Sequence, residues 1–174
     1  MFGRFTAEGN TIFWVDINHP SEIEIIVVNY HHLYRLNLIF GGESMEFLVK
    51  TQKSQEFIDI TDLVREAVEK SGVKDGLAIV FVPHTTAGVT INENADPDVI
   101  TDILSALNKA FPKQNGYLHR EGNSHAHIKA SLMGSSCHIL IEKGQLKLGT
   151  WQGVYFSEFD GPRNRKVFVK IVKE

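Results

Sequence analysis

The chain has 174 residues, of which 43% are hydrophobic, and its formal net charge is −3. This length and composition allow a buried core without disulfide support, and a single cysteine excludes an internal disulfide. That cysteine, Cys137, lies in an apolar strand pattern typical of a buried, inert thiol. A basic stretch interleaved with aromatic residues is absent, which argues against nucleic acid as a partner. Without a recognisable signal peptide or an apolar run long enough to cross a bilayer, we expect a cytoplasmic protein with no membrane partner.

The first 44 residues differ in pattern from the rest of the chain. Their main apolar run, IEIIVVNYHHLYRLNLIF, shows neither steady alternation nor a helical period. Gly41-Gly42-Glu43 can be encoded by a purine-rich tract that resembles a bacterial ribosome-binding site just before the codon for Met45. One hypothesis is therefore that residues 1–44 are a leader with a misassigned start, and the alternative is that they add a genuine strand or two. The intact mass of the natively expressed protein decides between them.

From Met45 onward, short strand patterns alternate with a few helical patterns. Strands are predicted at EFLVKTQ and EFIDI, a helix capped by Thr61 follows, and LAIVFV and GVTIN are the next strands. A second helix is predicted with Asp96 as its N-cap. After a polar connection, HAHIKASLMG predicts a short helix that ends at Gly134, with an extended entry as the alternative. The remaining strands and turns are typical of hairpins, so residues 45–174 are expected to form one α+β domain.

The first polar cluster lies in PHTTAGVTINENADPD. His84 follows directly after a buried strand that Pro83 ends, while Asn92, Glu93 and Asp96 stand between the next strand and the second helix. Junctions held by regular elements are where functional sites are usually built. The strand inside this segment is therefore expected to hold two polar groups at a fixed separation.

The second polar cluster, YLHREGNSHAHIKAS, contains three histidines. In an extended segment His125 and His127 would lie on the same side, whereas in a helix they diverge. Because imidazole nitrogen is a preferred ligand of zinc, we expect His84, His119 and His127 to form a three-nitrogen metal site, with His125 as the reserve ligand. The alternative is that these histidines cap a helix, or form a hydrogen-bonded network, without any metal.

The third cluster is GTWQGVYFSEFDGPRNRKV. Arg163 and Arg165 follow a turn built on Asp160, Gly161 and Pro162, where an arginine could bind phosphate. The alternative is a solvated hairpin end, at which Glu158 is a surface ion-pair partner of the basic residues.

These segments carry a resemblance to a known family. PHTTAGVTINENADPDV, EGNSHAHIKASLMGSS and GTWQGVYFSEFDGPRNRKV resemble, in order and spacing, three blocks of the YjbQ family, also called uncharacterised protein family 0047 or the secondary thiamine-phosphate synthase family. The likeness covers essentially residues 45–174, and residues 1–44 have no counterpart in it. It implies a fold of two antiparallel β-sheets, sandwich-like, with two or three helices. It also implies a homotrimer with the motif residues in pockets near subunit boundaries.

The resemblance further implies a weak thiamine-phosphate synthase activity, which joins a pyrimidine pyrophosphate to a thiazole phosphate and releases pyrophosphate. Such a reaction needs a divalent cation or basic groups for the leaving pyrophosphate and a dry pocket for the developing pyrimidine cation. The residues expected to serve are Glu93 and Asp96 for Mg²⁺, Lys129 and Arg163 for phosphate oxygens, and Ser131 and Asn92 for positioning them.

Two other functions remain open from the sequence. In a metal-dependent hydrolase, His84, His119 and His127 would hold a divalent metal, Zn²⁺ rather than Mg²⁺, and Glu93 or Glu121 would act as the base. In a noncatalytic trimer, the same pockets would bind a small molecule without turnover. We expect the ligand to be a small phosphorylated molecule.

Overall fold

A computed structural model of the chain describes residues 2–6, 12–19, 22–29, 32–39 and 44–174. The chain divides into two compact units, Met1–Gly42 and Glu43–Glu174. The first unit contains one antiparallel sheet whose strands are adjacent in chain order: β1 (Phe2–Thr6), β2 (Ile12–His19), β3 (Glu22–Asn29) and β4 (His32–Ile39). This is more strand than the sequence pattern indicated. The hypothesis that native translation begins at Met45 stays a prediction.

The second unit contains eight strands and three helices within the described residues. The order along the chain is β5 (Met45–Lys50), β6 (Glu56–Asp59), α1 (Thr61–Ser71), β7 (Gly76–Phe81), β8 (Ala87–Glu93), α2 (Pro97–Ala110), α3 (Ser124–Met133), β9 (Ser136–Glu142), β10 (Gln145–Leu146), β11 (Gln152–Glu158) and β12 (Asn164–Lys173). One sheet has the strand order β10-β9-β7-β12-β5 and the other β6-β11-β8, and all neighbouring strands are antiparallel. The predicted α+β fold with two antiparallel sheets is confirmed.

The core of this unit lies where the two sheets and α1 meet. Alternate residues of β12 are buried, as a strand with one face on the core requires. Side chains from both sheets and from α1 form one apolar cluster, which includes Val80, Val154, Phe156, Val167 and Val68. The sheets therefore pack as a sandwich-like pair, as the family resemblance implied.

The helix ends follow local chemistry, with one difference from the sequence prediction. Asp96 is the N-cap of α2, and its side chain accepts a hydrogen bond from the Asp98 backbone N–H, as predicted. Thr61, however, is the first residue of α1 rather than its cap. Its hydroxyl donates to Asp59 Oδ1 and accepts from the Val154 backbone N–H at 2.8 Å, so it ties α1 to β11. Tertiary partners, which the local pattern does not reveal, therefore decided its role.

Strands β8 and β11 hold the two polar groups of the first cluster apart. In their antiparallel register Ala87 pairs with Glu158 and Glu93 pairs with Gln152. The ladder therefore runs the full length of β11, from Gln152 to Glu158. His84 and the segment from Asn92 to Asp96 belong to opposite ends of this ladder. None of the helices in the described part of the chain is long and apolar enough to cross a membrane.

Candidate functional site

His84 lies at the start of β12, beside a buried ion pair. Its Nε2 accepts a hydrogen bond from the Lys166 backbone N–H at 2.9 Å. Burial and the positive charge of Arg165 lower the pKa of His84, against the opposing effects of Glu158 and of the hydrogen bond. The imidazole is therefore mostly neutral at pH 7, and its acceptor nitrogen is already in use.

Glu158 and Arg165 form the buried ion pair. Glu158 is fully buried and Arg165 is 6% exposed. Arg165 Nε donates to Glu158 Oε2 at 2.7 Å and Nη2 donates to Oε1 at 2.5 Å, while Nη2 also donates to Thr86. The expectation of a surface pair at a solvated hairpin end is wrong for these two residues. Arg165 shares the inward face of β12 with Val167 and Val169, and this alternation was the signal in the sequence.

Arg163, predicted to bind phosphate, lies on the surface next to that pair. Its Nη2 donates to Asp160 Oδ2 at 2.7 Å, and its Nε donates to the Asp160 carbonyl at 2.8 Å. The backbone N–H of Asp160 donates to Glu158 Oε1, and Asn123 Nδ2 donates to Asp160 Oδ2 at 3.1 Å. The charge of Arg163 is therefore compensated by Asp160 within the same chain, and these contacts join the buried pair to the start of α3.

Lys129, the other predicted phosphate ligand, has no exposed surface in this chain. Its Nζ donates to Gln55 Oε1 at 2.9 Å and to Asn108 Oδ1 at 2.5 Å. Burial lowers the pKa of Lys129, because the charged ammonium loses water and gains only neutral amide oxygens. The structure thus encloses this amine within the chain, with two side-chain amides as its partners, rather than at an open surface.

Helix α3 separates the second cluster into two sides. The segment is helical from Ser124, so the extended alternative is wrong and the two histidines diverge as expected of a helix. His125 and Lys129, four residues apart, share the buried side. His127 lies about 200° around the axis from each of them, at roughly 100° per residue. The Ser131 hydroxyl, one turn beyond His127, donates to the His127 carbonyl at 2.9 Å and is otherwise exposed.

A groove lies on the His127 side of α3. Its volume is about 640 Å³, and it is lined by Tyr117, Leu118, His119, Ser124, His127 and Ile128. The rings of His119 and His127 meet edge to face, with centroids 5.4 Å apart and an angle of 84° between the planes. His119 Nε2 lies 3.8 Å from Glu121 Oε2. The structure therefore brings two of the three predicted imidazoles together in one groove, with a carboxylate close to one of them.

The predicted set of three histidines does not form within one chain. Among the residues that the structure describes, no group of three or more His, Cys, Asp or Glu side chains is placed to hold a metal ion. The physical reason is that Lys166 holds His84 at β12, whereas the His119 and His127 rings pair at α3. His125, the reserve ligand, faces the opposite side of α3. A metal held by His119 and His127 would need further ligands from water, substrate or another subunit.

The acidic cluster from Asn92 to Asp96 lies at the end of β8 opposite His84. Asn92 Oδ1 accepts from the Glu93 backbone N–H, and Asp96 is occupied as the cap of α2. Asn94 Nδ2 donates to Asp59 Oδ2 at 3.2 Å, and the sequence pattern did not reveal this pair because its members are 35 positions apart. The acidic cluster lies next to the Gln152 end of the β8–β11 ladder. Arg163 lies beyond the opposite end, at Glu158. Within one chain they do not form the single magnesium and phosphate site expected of a transferase.

Cys137 is not a candidate nucleophile. It lies half-buried on β9, and burial raises the pKa of its thiol to about 11. Because the thiolate is the reactive form, this cysteine is inert at neutral pH, as its strand pattern predicted.

Comparisons with known proteins agree with the three sequence blocks. The chain matches the family model described as UPF0047 protein YjbQ-like over residues 45–174. A UPF0047 protein of Methanocaldococcus jannaschii is 54% identical over 127 residues, covering 73% of this chain and 92% of that protein. The UPF0047 protein YugU of Bacillus subtilis is 49% identical over 125 residues, covering 71% and 95% respectively.

Solved structures agree in fold. An uncharacterised YjbQ/UPF0047 protein of Clostridium acetobutylicum is 70% identical with a TM-score of 0.73, covering 74% of this chain and 99% of that one. A YbjQ-like protein of unknown function from Sulfolobus solfataricus is 35% identical with a TM-score of 0.73, covering 75% of this chain and 96% of that one.

Proposed function

The chain belongs to the YjbQ-like UPF0047 family, and from this premise we propose that it is a metal-dependent hydrolase of a small phosphorylated molecule. The observation that carries the proposal is the edge-to-face pair of His119 and His127 in a groove of about 640 Å³. A groove of this size accommodates a small molecule. Tyr117, Leu118 and Ile128 provide an apolar wall for its uncharged part.

The two groove histidines and the nearby Glu121 have separate roles in this proposal. His119 and His127 would hold a divalent metal, Zn²⁺ rather than Mg²⁺, because imidazole suits zinc. When bound, such an ion lowers the pKa of a coordinated water so that it can attack at neutral pH. The Glu121 carboxylate lies 3.8 Å from His119 Nε2. If such an ion were bound there, Glu121 would be the nearby carboxylate that could accept a proton from its coordinated water.

A zinc titration of the metal-free protein tests whether His119 and His127 form a metal site. We expect His127→Ala to lose zinc affinity, whereas Ser131→Ala, one turn along the same side of α3, keeps it. Glu121→Gln should retain zinc but lose turnover of a phosphate-ester panel. Equal zinc binding by the wild type and His127→Ala would contradict the metal site. Binding of a panel compound without turnover would instead indicate the noncatalytic alternative.

The geometry favours the transferase less. Thiamine-phosphate synthase chemistry as inferred from the family resemblance needs Glu93, Asp96, Lys129 and Arg163 around one substrate pair. In one chain the two carboxylates lie at the opposite end of β11 from Arg163, and Lys129 has no exposed surface. Such a site would have to combine parts of two subunits. Formation of thiamine phosphate with Mg²⁺, abolished by Arg163→Gln, would support that arrangement.

We also propose that the protein is a homotrimer whose sites are completed by a neighbouring subunit. Helix α2 supports this, because its apolar positions are regularly spaced and yet none of its residues is buried in the single chain. Val99, Ile100 and Ile103 are all partly exposed. A neighbouring subunit that covers them could also supply the missing metal ligand. A monomer in sedimentation at micromolar concentration would contradict this proposal.

A further inference from the structure

The loop between α2 and α3, residues 111–123, and the start of α3 contain buried polar atoms that lack partners. In the 44–174 segment, the buried side-chain atoms without a hydrogen bond are Tyr117 Oη, Asn123 Oδ1, His125 Nδ1 and Ser157 Oγ. Three of these four lie between Tyr117 and His125. Leaving buried polar atoms unpaired costs folding free energy, so proteins keep few of them. Of these three, Tyr117 Oη and His125 Nδ1 can donate to a ligand, whereas Asn123 Oδ1 can only accept.

The first turn of α3 is open to an anion. Asn123 is the N-cap residue, but its side chain makes no capping bond and instead donates to Asp160 at 3.1 Å. The backbone N–H groups of Ala126 and His127 donate to the Asn123 carbonyl, which leaves those of Ser124 and His125 outside the hydrogen bonds of the helix. The first turn contains no acidic residue. Free N–H groups and the helix dipole together favour an oxyanion at this end.

The side chain of His125 is a second, independent indication. His125 lies in this first turn, only 5% of its surface is exposed, and its Nδ1 has no partner. Burial there is nearly complete, so bulk water does not satisfy the nitrogen. The helix start therefore combines unpaired backbone donors with an unpaired buried side chain.

The charges around this turn are mainly positive. Lys113 and Lys129 both lie close enough to His125 for their charges to act on it, and Asp160 acts in the opposite sense. Asp160 is already engaged by Arg163 and Asn123. Lys113 itself is exposed and lines a cavity of about 570 Å³ formed by loop residues, together with Asn115, Gly116, Tyr117 and Gly122. Tyr117 also lines the groove of His119 and His127, so the two cavities adjoin.

We propose that the α2–α3 loop and the first turn of α3 form an oxyanion subsite, which binds the phosphate group of a small molecule through Lys113 and the N–H groups of Ser124 and His125. Tyr117, which carries one of the unpaired atoms, belongs to this loop. Gly116 and Gly122 both have positive φ, and they are where its backbone can adapt. The inference rests on the proposed function for its phosphorylated substrate class, but it requires no metal.

Inorganic phosphate is the probe, added to the full chain after chelator treatment has removed metal. Isothermal titration should show that Lys113→Gln weakens phosphate binding about tenfold, as expected for loss of one charged hydrogen bond. Lys109→Gln, at an exposed lysine in the last turn of α2, is the matched control and should leave the affinity unchanged. Hydrogen exchange should slow at the amides of residues 113–125 when phosphate is present.

Equal weakening by Lys113→Gln and Lys109→Gln would overturn the inference, since it would show diffuse charge attraction only. Amide hydrogen exchange in residues 113–125 that is the same with and without phosphate would overturn the inference as well. Zinc titration reports separately on His119 and His127. Phosphate binding by a protein that cannot hold zinc would support the subsite and contradict the proposed hydrolase. Zinc binding without phosphate binding would support the metal site and contradict the subsite.

Discussion

Replacing Glu158 by glutamine should destabilise the protein strongly. The carboxylate is fully buried and accepts two hydrogen bonds from Arg165, as well as those of the Thr51 hydroxyl and the Phe159 and Asp160 backbone N–H groups. Glutamine keeps the shape but removes the negative charge, and its amide group turns one acceptor into a donor. Arg165, 6% exposed, is then left as a buried cation without a counter-charge.

Breaking a buried pair by removing one partner costs about 3–5 kcal/mol. At roughly 2–4 °C per kcal/mol for a chain of this size, the midpoint of thermal unfolding should fall by about 6–20 °C. Urea denaturation at one fixed protein concentration measures the free energy directly, and the fixed concentration matters because assembly adds to apparent stability.

Glu142→Gln is the matched control, because Glu142 pairs with Lys147 and both side chains are about half exposed. That change should cost at most about 1 kcal/mol. Adding Arg165→Met to Glu158→Gln should restore part of the loss, since it removes the unpaired cation. If Glu158→Gln costs no more than Glu142→Gln, the argument that this pair is desolvated and mutually dependent is refuted.

Three further predictions concern the cap of α2, a closely packed glycine on β8 and the pH dependence of stability. Asp96→Ala should lose about 1 kcal/mol in urea denaturation and Asp96→Asn much less, because asparagine also caps; equal losses would contradict the capping role. Gly88→Ala should clash, since its Cβ would lie 2.6 Å from the Gly134 carbonyl oxygen. Such overpacking should cost roughly 1–3 kcal/mol. Gly153→Ala, whose Cβ would meet the Asn94 side chain rather than backbone atoms, should cost less, and the reverse order would contradict this packing. Because the folded-state pKa of His84 lies below its ordinary 6.5, the unfolded chain binds more protons between the two values. The free energy of unfolding should therefore rise with pH through that window and level off above 6.5, with a smaller slope in His84→Gln. An unchanged slope would contradict it.

The sequence predicted the parts of the fold that depend on local pattern. Asp96 before a proline predicted the start of α2, and the apolar runs predicted β7 and β8, because caps and strand patterns act over a few residues. Thr61 shows the limit of this reasoning. Its hydroxyl is used by Val154, 93 positions away, so its role depended on a tertiary contact.

The candidate site was predictable in composition but not in arrangement. The second cluster contains His119 and His127, and the structure brings their rings together in one groove. Placing His84 with them required knowing which strand ends meet, and the antiparallel order of β7, β12 and β5 instead set it against Lys166. Lys129 was expected to be open to a ligand, but helix position alone does not tell which side of α3 the rest of the fold covers.

The two sides of α3 have a consequence for how this family can diversify. On the groove side Ser131 is exposed and His127 is only partly buried, whereas His125 and Lys129 on the other side are enclosed by the chain. Substitutions on the groove side can therefore alter what the protein recognises at little cost to folding. The enclosed side tolerates far less change, because close-packed interiors respond even to small changes of side-chain volume.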